Sequence, residues 1–190
     1  SELVDIGSGK LHISKTEDKD WINNWKQYFK PFRIDDNIVI KPTWDDSIET
    51  KESDIILEID PGISFGTGSH ETTKLCILAL KKYLKSGGII LDAGSGSGIL
   101  SILSMKLGAK EVLGVDIDEK ATSTAIENAR INGEISGLKF ITGDIIQDKG
   151  IRHKIGKNKY DIVVSNILAD VIIPMSAIIG ENIKENGYFI

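Results

Sequence analysis

A chain of 190 residues, 41% apolar and 27% charged, has the composition of ordinary globular protein and is long enough for one α/β domain with a modest appendage. Its formal charge of −5 excludes a general attraction to nucleic-acid phosphates, which needs clustered Lys and Arg, so no direct nucleic-acid partner is expected. No apolar run reaches the roughly 18 to 20 residues of a membrane span, and the opening SELVDIGSGK lacks the basic-then-apolar order of a signal peptide, so the expectation is a cytoplasmic protein with no membrane partner.

Residues 1–60 are charged and turn-rich and read as an N-terminal appendage, with strand-like alternation at 37–40 and 54–59. Within it Trp21, Trp25, Tyr28, Phe29 and Phe32 recur at helical spacing ahead of Pro31 and the extended stretch around Trp44, which predicts a packing helix docked on the main domain. After Pro61 comes a glycine-rich loop, PGISFGTGSH, then a helix over 71–84 with Leu75, Leu78 and Ala79 on its apolar face and Gly87-Gly88 behind it. Cys76, the single cysteine, lies in this helix in the run LCILAL and reads as a small buried hydrophobe. One cysteine excludes a disulfide framework, and no Cys/His spacing calls for a metal.

Strands and helices then alternate: strand 89–92, helix 98–107, strand 111–116, helix 118–132, strand 138–142, strand 161–165, helix 168–181 and a fifth strand over 187–190. The basic stretch KGIRHKIGKNK at 149–159 reads as a solvated connection. Strands separated by helices of this length require right-handed crossovers, so the fold class is α/β, a doubly wound, mostly parallel sheet. The sequence stops within a strand where such a sheet normally continues, so the domain is expected to be incomplete at its C-terminal side.

Ligands of a doubly wound sheet sit beyond the carboxyl ends of the strands near the switch point, which directs attention to the first turn, Asp92-Ala93-Gly94-Ser95-Gly96-Ser97-Gly98. A dinucleotide fingerprint needs glycine at position 99, where Ile99 stands, so nicotinamide binding is disfavoured. Asp116 closes the second strand, and a carboxylate there has acceptors for both hydroxyls of a vicinal diol; Asp118 reads as the cap of the next helix, and Asp144 follows the third strand.

This order of glycine turn and strand-end acids resembles the class I methyltransferases, which implies S-adenosylmethionine as cofactor, with Asp92, Gly94 and Gly96 around its methionine part, Asp116 at the ribose and Asp144 at the adenine amino group. Two further segments, Pro61-Gly62 through Phe65-Gly66-Thr67-Gly68-Ser69-His70-Glu71-Thr72-Thr73 and Asn166-Ile167-Leu168-Ala169, together with Trp25-x-x-Tyr28-Phe29-Lys30-Pro31-Phe32 upstream, resemble the ribosomal protein L11 methyltransferases. The resemblance implies that Thr73, Gly94, Asp116 and Asn166 contact the cofactor. It makes Asn166 the candidate catalytic residue and Phe65 and His70 the candidates for positioning substrate. It also implies methylation of lysine ε-amines, and of the N-terminal α-amine, of ribosomal protein L11 as partner. The alternatives are a related enzyme for another protein or small amine, and an inactive cofactor-binding module. Methyltransferases of planar nitrogens often carry N-P-P-Y where Asn166 is followed here by Ile167, Leu168 and Ala169, which disfavours a nucleobase target. Residues 1–60 are then the connecting remnant of a substrate-recognition domain, and 61–190 the cofactor-binding domain.

Overall fold

The computed structural model describes residues 29–60, 71–133 and 136–190. Five parallel strands form the central sheet in the order β6-β5-β4-β7-β8: β4 (Ile89–Ala93), β5 (Glu111–Asp116), β6 (Leu138–Thr142), β7 (Tyr160–Val164) and β8 (Ile183–Phe189). Among the described residues the helices are α1 (Glu71–Tyr83), α2 (Ile99–Lys106), α3 (Glu119–Ile131), α4 (Lys149–Ile155) and α5 (Ala169–Ile179). A smaller sheet, β1 (Phe32–Ile34), β2 (Ile38–Lys41) and β3 (Ile55–Glu58), pairs β1 with β2 antiparallel and β2 with β3 parallel.

The apolar runs of β4 and β7 are buried on both faces, as a parallel sheet under two helical layers requires. Ile90, Ile162 and Val164 join Ile77 and Leu80 of α1 and Ile102 and Leu103 of α2 in one core. Leu91, Ala93 and Val163 face the other way, onto Ile151 and Ile155 of α4 and Met175 and Ile179 of α5. The smaller sheet adds Ile34, Ile38, Ile40, Leu57 and Ile59 to the first of these cores. Phe29, Ile34, Ile38, Ile40, Leu57 and Ile59 therefore share a core with the main sheet, while Trp44 is exposed.

Four expectations are corrected. Phe29 and Phe32 do not lie on a helix: Phe29 is buried in irregular chain and Phe32 opens β1, because Pro31 disfavours helical backbone at the residue before it and has no N–H to donate. Trp21, Trp25 and Tyr28 lie outside the described residues. The buried face of α1 is Thr73, Ile77 and Leu80, while Leu75 and Leu78 are exposed; the apolar residues of LCILAL run round the helix, and tertiary contact alone selects the stripe. The stretch 149–159 contains α4, capped by Asp148 accepting from the N–H groups of Gly150 and Ile151 and anchored by Ile151 and Ile155 one turn apart. Finally, β8 enters the sheet at Ile183, four residues before the expected start, and shifts register between its pairing with Tyr160 and with Ile162. The charged residues Lys184 and Glu185 in that irregularity mask the strand in the sequence.

Candidate active site

The sheet order reverses at β4, which pairs with β5 on one side and β7 on the other. The carboxyl ends of these three strands bring the predicted turn, Asp116 and the segment of Asn166 together at the switch point, where a doubly wound sheet binds ligands. The turn is held by its own backbone: the N–H groups of Gly94 and Ser95 donate to Val115 O (2.8 and 3.1 Å), and Gly98 N–H donates to Ser95 O (2.8 Å). Gly94, Gly96 and Gly98 have φ of 86°, 51° and 80°, in the left-handed region open to glycine. Gly94 is confined from outside as well, because a Cβ there would collide with Ile167 Cγ2.

Asp92 shares a face of β4 with Ile90 and points towards α2, where Ser101 Oγ donates to Oδ2 at 2.6 Å. It is 1% exposed, and its Oδ1 is buried without a hydrogen-bond partner. Burial pushes this carboxyl up to about 6, and the nearby Asp116 charge adds to the effect, while Ser101 opposes it. Ser95 Oγ, in the turn that follows β4, is a second buried polar atom without a partner. Cys76 is half-buried, and burial raises its thiol above the ordinary range, so it stays protonated.

Asp116 fixes the turn from the second strand. Oδ2 accepts from Gly96 N–H at 2.8 Å and Oδ1 from Asp118 N–H at 3.0 Å, which leaves further lone pairs on both oxygens for a diol. Asp118 caps α3 by accepting from Lys120 N–H. Asp144, beyond β6, accepts from the N–H groups of Ile146 and Gln147 through Oδ1 and so closes its own turn. Thr73 and Asn166, 93 residues apart, meet directly: Asn166 Nδ2 donates to Thr73 Oγ1 at 2.8 Å, and Thr73 is 2% exposed. Ser165 Oγ, next to Asn166, donates to Ala93 O and ties the ends of β7 and β4 together. Phe65 and His70 lie outside the described residues.

Sequence reasoning missed three contributors. Ser101 positions Asp92, and its signal is one of two hydroxyls, with Ser104, in the mostly apolar helix ILSILSMK. Ile167 packs on Gly94, a contact between distant segments with no local signature. Gly114 lies under the Phe140 ring, where a side chain would collide with it. Among the described residues no cluster of His, Cys, Asp or Glu is arranged to hold a metal, and no helix is long and apolar enough to cross a membrane.

The family model for ribosomal protein L11 methyltransferase (PrmA) matches residues 2–190. Curated relatives named ribosomal protein L11 methyltransferase include one from Lachnoclostridium phytofermentans, 54% identical over 203 aligned residues, and one from Agathobacter rectalis, 52% identical over 193. The alignments cover 100% of this chain but 61% and 59% of those relatives, so the chain spans about three-fifths of their length. A crystal structure of ribosomal protein L11 methylase from Lactobacillus delbrueckii subsp. bulgaricus superposes with a TM-score of 0.73 at 31% identity, over 84% of this chain and 79% of that one. A doubly wound sheet, a glycine turn under Asp116 and a family match along almost the whole sequence agree, and the chain belongs to the ribosomal protein L11 methyltransferase family.

Proposed function

We propose that this chain is the catalytic part of an S-adenosylmethionine-dependent enzyme that methylates lysine ε-amines, and the N-terminal α-amine, of ribosomal protein L11 in the cytoplasm. The observation that carries the reading is the convergence, at the switch point of a parallel sheet, of the Gly94–Gly98 turn, Asp116, and the Thr73–Asn166 pair. Family membership supports the substrate class, since the relatives are named for ribosomal protein L11. Residues 61–190 would carry the cofactor machinery, because each of these groups follows residue 60, with 1–60 as the connecting segment.

The residues present fit the cofactor. The partnerless Ser95 Oγ in the turn and Asp92 Oδ1 at the end of β4 are buried polar atoms, the kind of group that a ligand satisfies. Asp116 retains acceptor capacity for ribose hydroxyls after its two bonds to backbone. When bound, S-adenosylmethionine supplies an electrophilic methyl carbon on a sulfonium.

The protein's tasks are orientation and exclusion of water. Thr73 Oγ1 takes the Nδ2 end of the Asn166 amide, so the Oδ1 end is the one assigned to an incoming amine N–H. That amine must be neutral to attack. For a lysine with a pKa of about 10.4, deprotonation at pH 7 costs about 4.6 kcal/mol in water, and burial lowers this cost by disfavouring the ammonium. No dedicated strong base is required.

Titration of the protein with S-adenosylmethionine in a calorimeter, followed by transfer of radiolabelled methyl to purified L11, tests the reading in two stages. Binding is expected of this chain, and transfer of the full-length enzyme. Absence of binding would overturn the cofactor assignment, and binding with transfer only to another protein or amine would overturn the substrate. Recognition of L11 is expected to draw also on the part of the longer relatives that this chain does not span. A full-length enzyme should therefore exceed this chain by orders of magnitude in transfer while binding the cofactor within about tenfold as tightly.

A further inference from the structure

The outer edge of β3 is closed by two asparagine side chains in place of another strand. Ile55, Leu57 and Ile59 face β2, as the bonds of Ile55 N–H to Asn37 O and Ile59 N–H to Lys41 O require, so the backbone groups of Glu58 and Asp60 point the other way. Asn132 Oδ1 accepts from Glu58 N–H (3.0 Å) and its Nδ2 donates to Glu58 O (2.7 Å). Asn128 repeats the pattern on Asp60, with Oδ1 accepting from N–H (3.0 Å) and Nδ2 donating to O (3.2 Å). The match is geometric: four residues of helix rise about 6 Å, and two residues of strand advance about 6.6 Å. Backbone donors and acceptors on both sides leave each amide one allowed orientation.

The two asparagines differ in their third bond. Asn132 Nδ2 donates to Asn128 O, within α3. Asn128 Nδ2 donates to Ser97 O at 2.9 Å, and Asn128 is 1% exposed. Ser97 stands between Gly96 and Gly98, both at positive φ. Peptide planes between such glycines have little steric preference for one orientation, so a buried hydrogen bond to the Ser97 carbonyl decides it. That peptide also carries the Gly98 N–H that donates to Ser95 O. Asp60 is itself anchored, since its carboxylate accepts from Thr43 N–H and Oγ1.

We propose that Asn128 is a positioning residue of the cofactor turn: it ties the Ser97 peptide to the end of β3, so that the smaller sheet holds the glycine turn in its ligand-ready shape. The cofactor arm of this proposal rests on the S-adenosylmethionine reading above. The conformational arm does not. Asn132 is the internal control, with three hydrogen bonds of the same kinds and no contact to the turn.

The test compares Asn128→Ala with Asn132→Ala in amide hydrogen exchange of the ligand-free protein, thermal midpoint and dissociation constant for S-adenosylmethionine. Both variants should lower the midpoint, Asn128→Ala the more, since Asn128 is the more deeply buried. Asn128→Ala should speed exchange at Gly98 and Ile99 by tenfold or more and weaken the cofactor at least tenfold, whereas Asn132→Ala should leave both within twofold. Asn128→Asp, which keeps the size and the acceptor for Asp60 N–H but presents no donor to Ser97 O at neutral pH, should reproduce the exchange effect if the alanine variant does not fold. Unchanged exchange at the turn in a folded position-128 variant, or an equal effect from Asn132→Ala, would overturn the proposal. Should the parent protein fail to bind S-adenosylmethionine, the cofactor reading falls, and the exchange comparison still decides the tie.

Discussion

Asn166 and Thr73, 93 positions apart in the chain, share a hydrogen bond of 2.8 Å from the asparagine Nδ2 to the threonine Oγ1. The bond joins the loop after β7 to the first turn of α1. It also determines which end of the Asn166 amide is engaged by protein, and so which end the proposed function leaves for an amine.

Removing the hydroxyl should therefore impair catalysis more than folding. Thr73→Val leaves the half-buried Asn166 amide donor without its protein partner, at about 1 kcal/mol, and methyl transfer is expected to fall by about 10-fold or more. Thr73→Ser restores the acceptor and should recover activity to within about threefold of the parent. Initial rates and calorimetric affinities of the two variants provide the comparison; equal rates in both would show that the hydroxyl does not set the amide.

Gly94 is constrained twice, by its φ of 86° and by Ile167. Gly94→Ala should cost about 1 kcal/mol from backbone conformation alone and more from the collision, and should abolish measurable cofactor binding. Adding Ile167→Ala removes the collision but not the backbone strain. The double variant is accordingly expected to regain part of the lost stability in denaturant titrations, a non-additivity that two independent sites would not produce.

Asp92 has the opposite pH signature from a carboxylate stabilised by a salt bridge. Its carboxyl is pushed up to about 6, chiefly by burial, whereas the unfolded chain releases that proton near pH 3.9. Between those values the folded state binds more protons than the unfolded state, so this group's contribution to stability falls as pH rises from about 4 to about 6 and is level above. The cost by pH 7 is on the order of 2 to 3 kcal/mol. Asp92→Asn should flatten the slope of unfolding free energy against pH in that window and raise stability at pH 7, while weakening S-adenosylmethionine binding. An unchanged slope would show that Asp92 is not the group titrating there.

Asp116 has two roles that substitution can separate. Asp116→Asn loses the charge and keeps only one of the two oxygens that accept from backbone N–H groups, and should weaken S-adenosylmethionine by about 1 to 2 kcal/mol. Asp116→Ala also releases Gly96 N–H and Asp118 N–H, and should cost about 1.5 to 3 kcal/mol of binding together with faster exchange at Gly96. Indistinguishable affinities for parent and both variants, measured by calorimetry, would refute the ribose assignment.

Much of the architecture was legible because local pattern and tertiary demand agree in a parallel sheet. A short run such as Ile89-Ile90-Leu91 is apolar on both faces only where helices cover both. Likewise, Asp118 and Asp116 announce a helix start and a strand end by position alone. The glycine turn was legible for a similar reason, since alternate positive φ values restrict the residue types that the chain can use there.

The rest depended on which surfaces meet. The face of α1 that is buried, the helix hidden in 149–159 and the early entry of β8 follow from what packs against them, and their own residues admit more than one answer. Long-range contacts have no local trace at all: nothing near Asn128 in the sequence points to Asp60 or Ser97, nor anything near Thr73 to Asn166. The alternation of elements, the glycine turn and the acids at the strand ends can be read locally, because each is a constraint on neighbouring residues. Tertiary structure alone decided how those acids and amides are oriented, because orientation is set by hydrogen-bond partners that chain folding brings from far away.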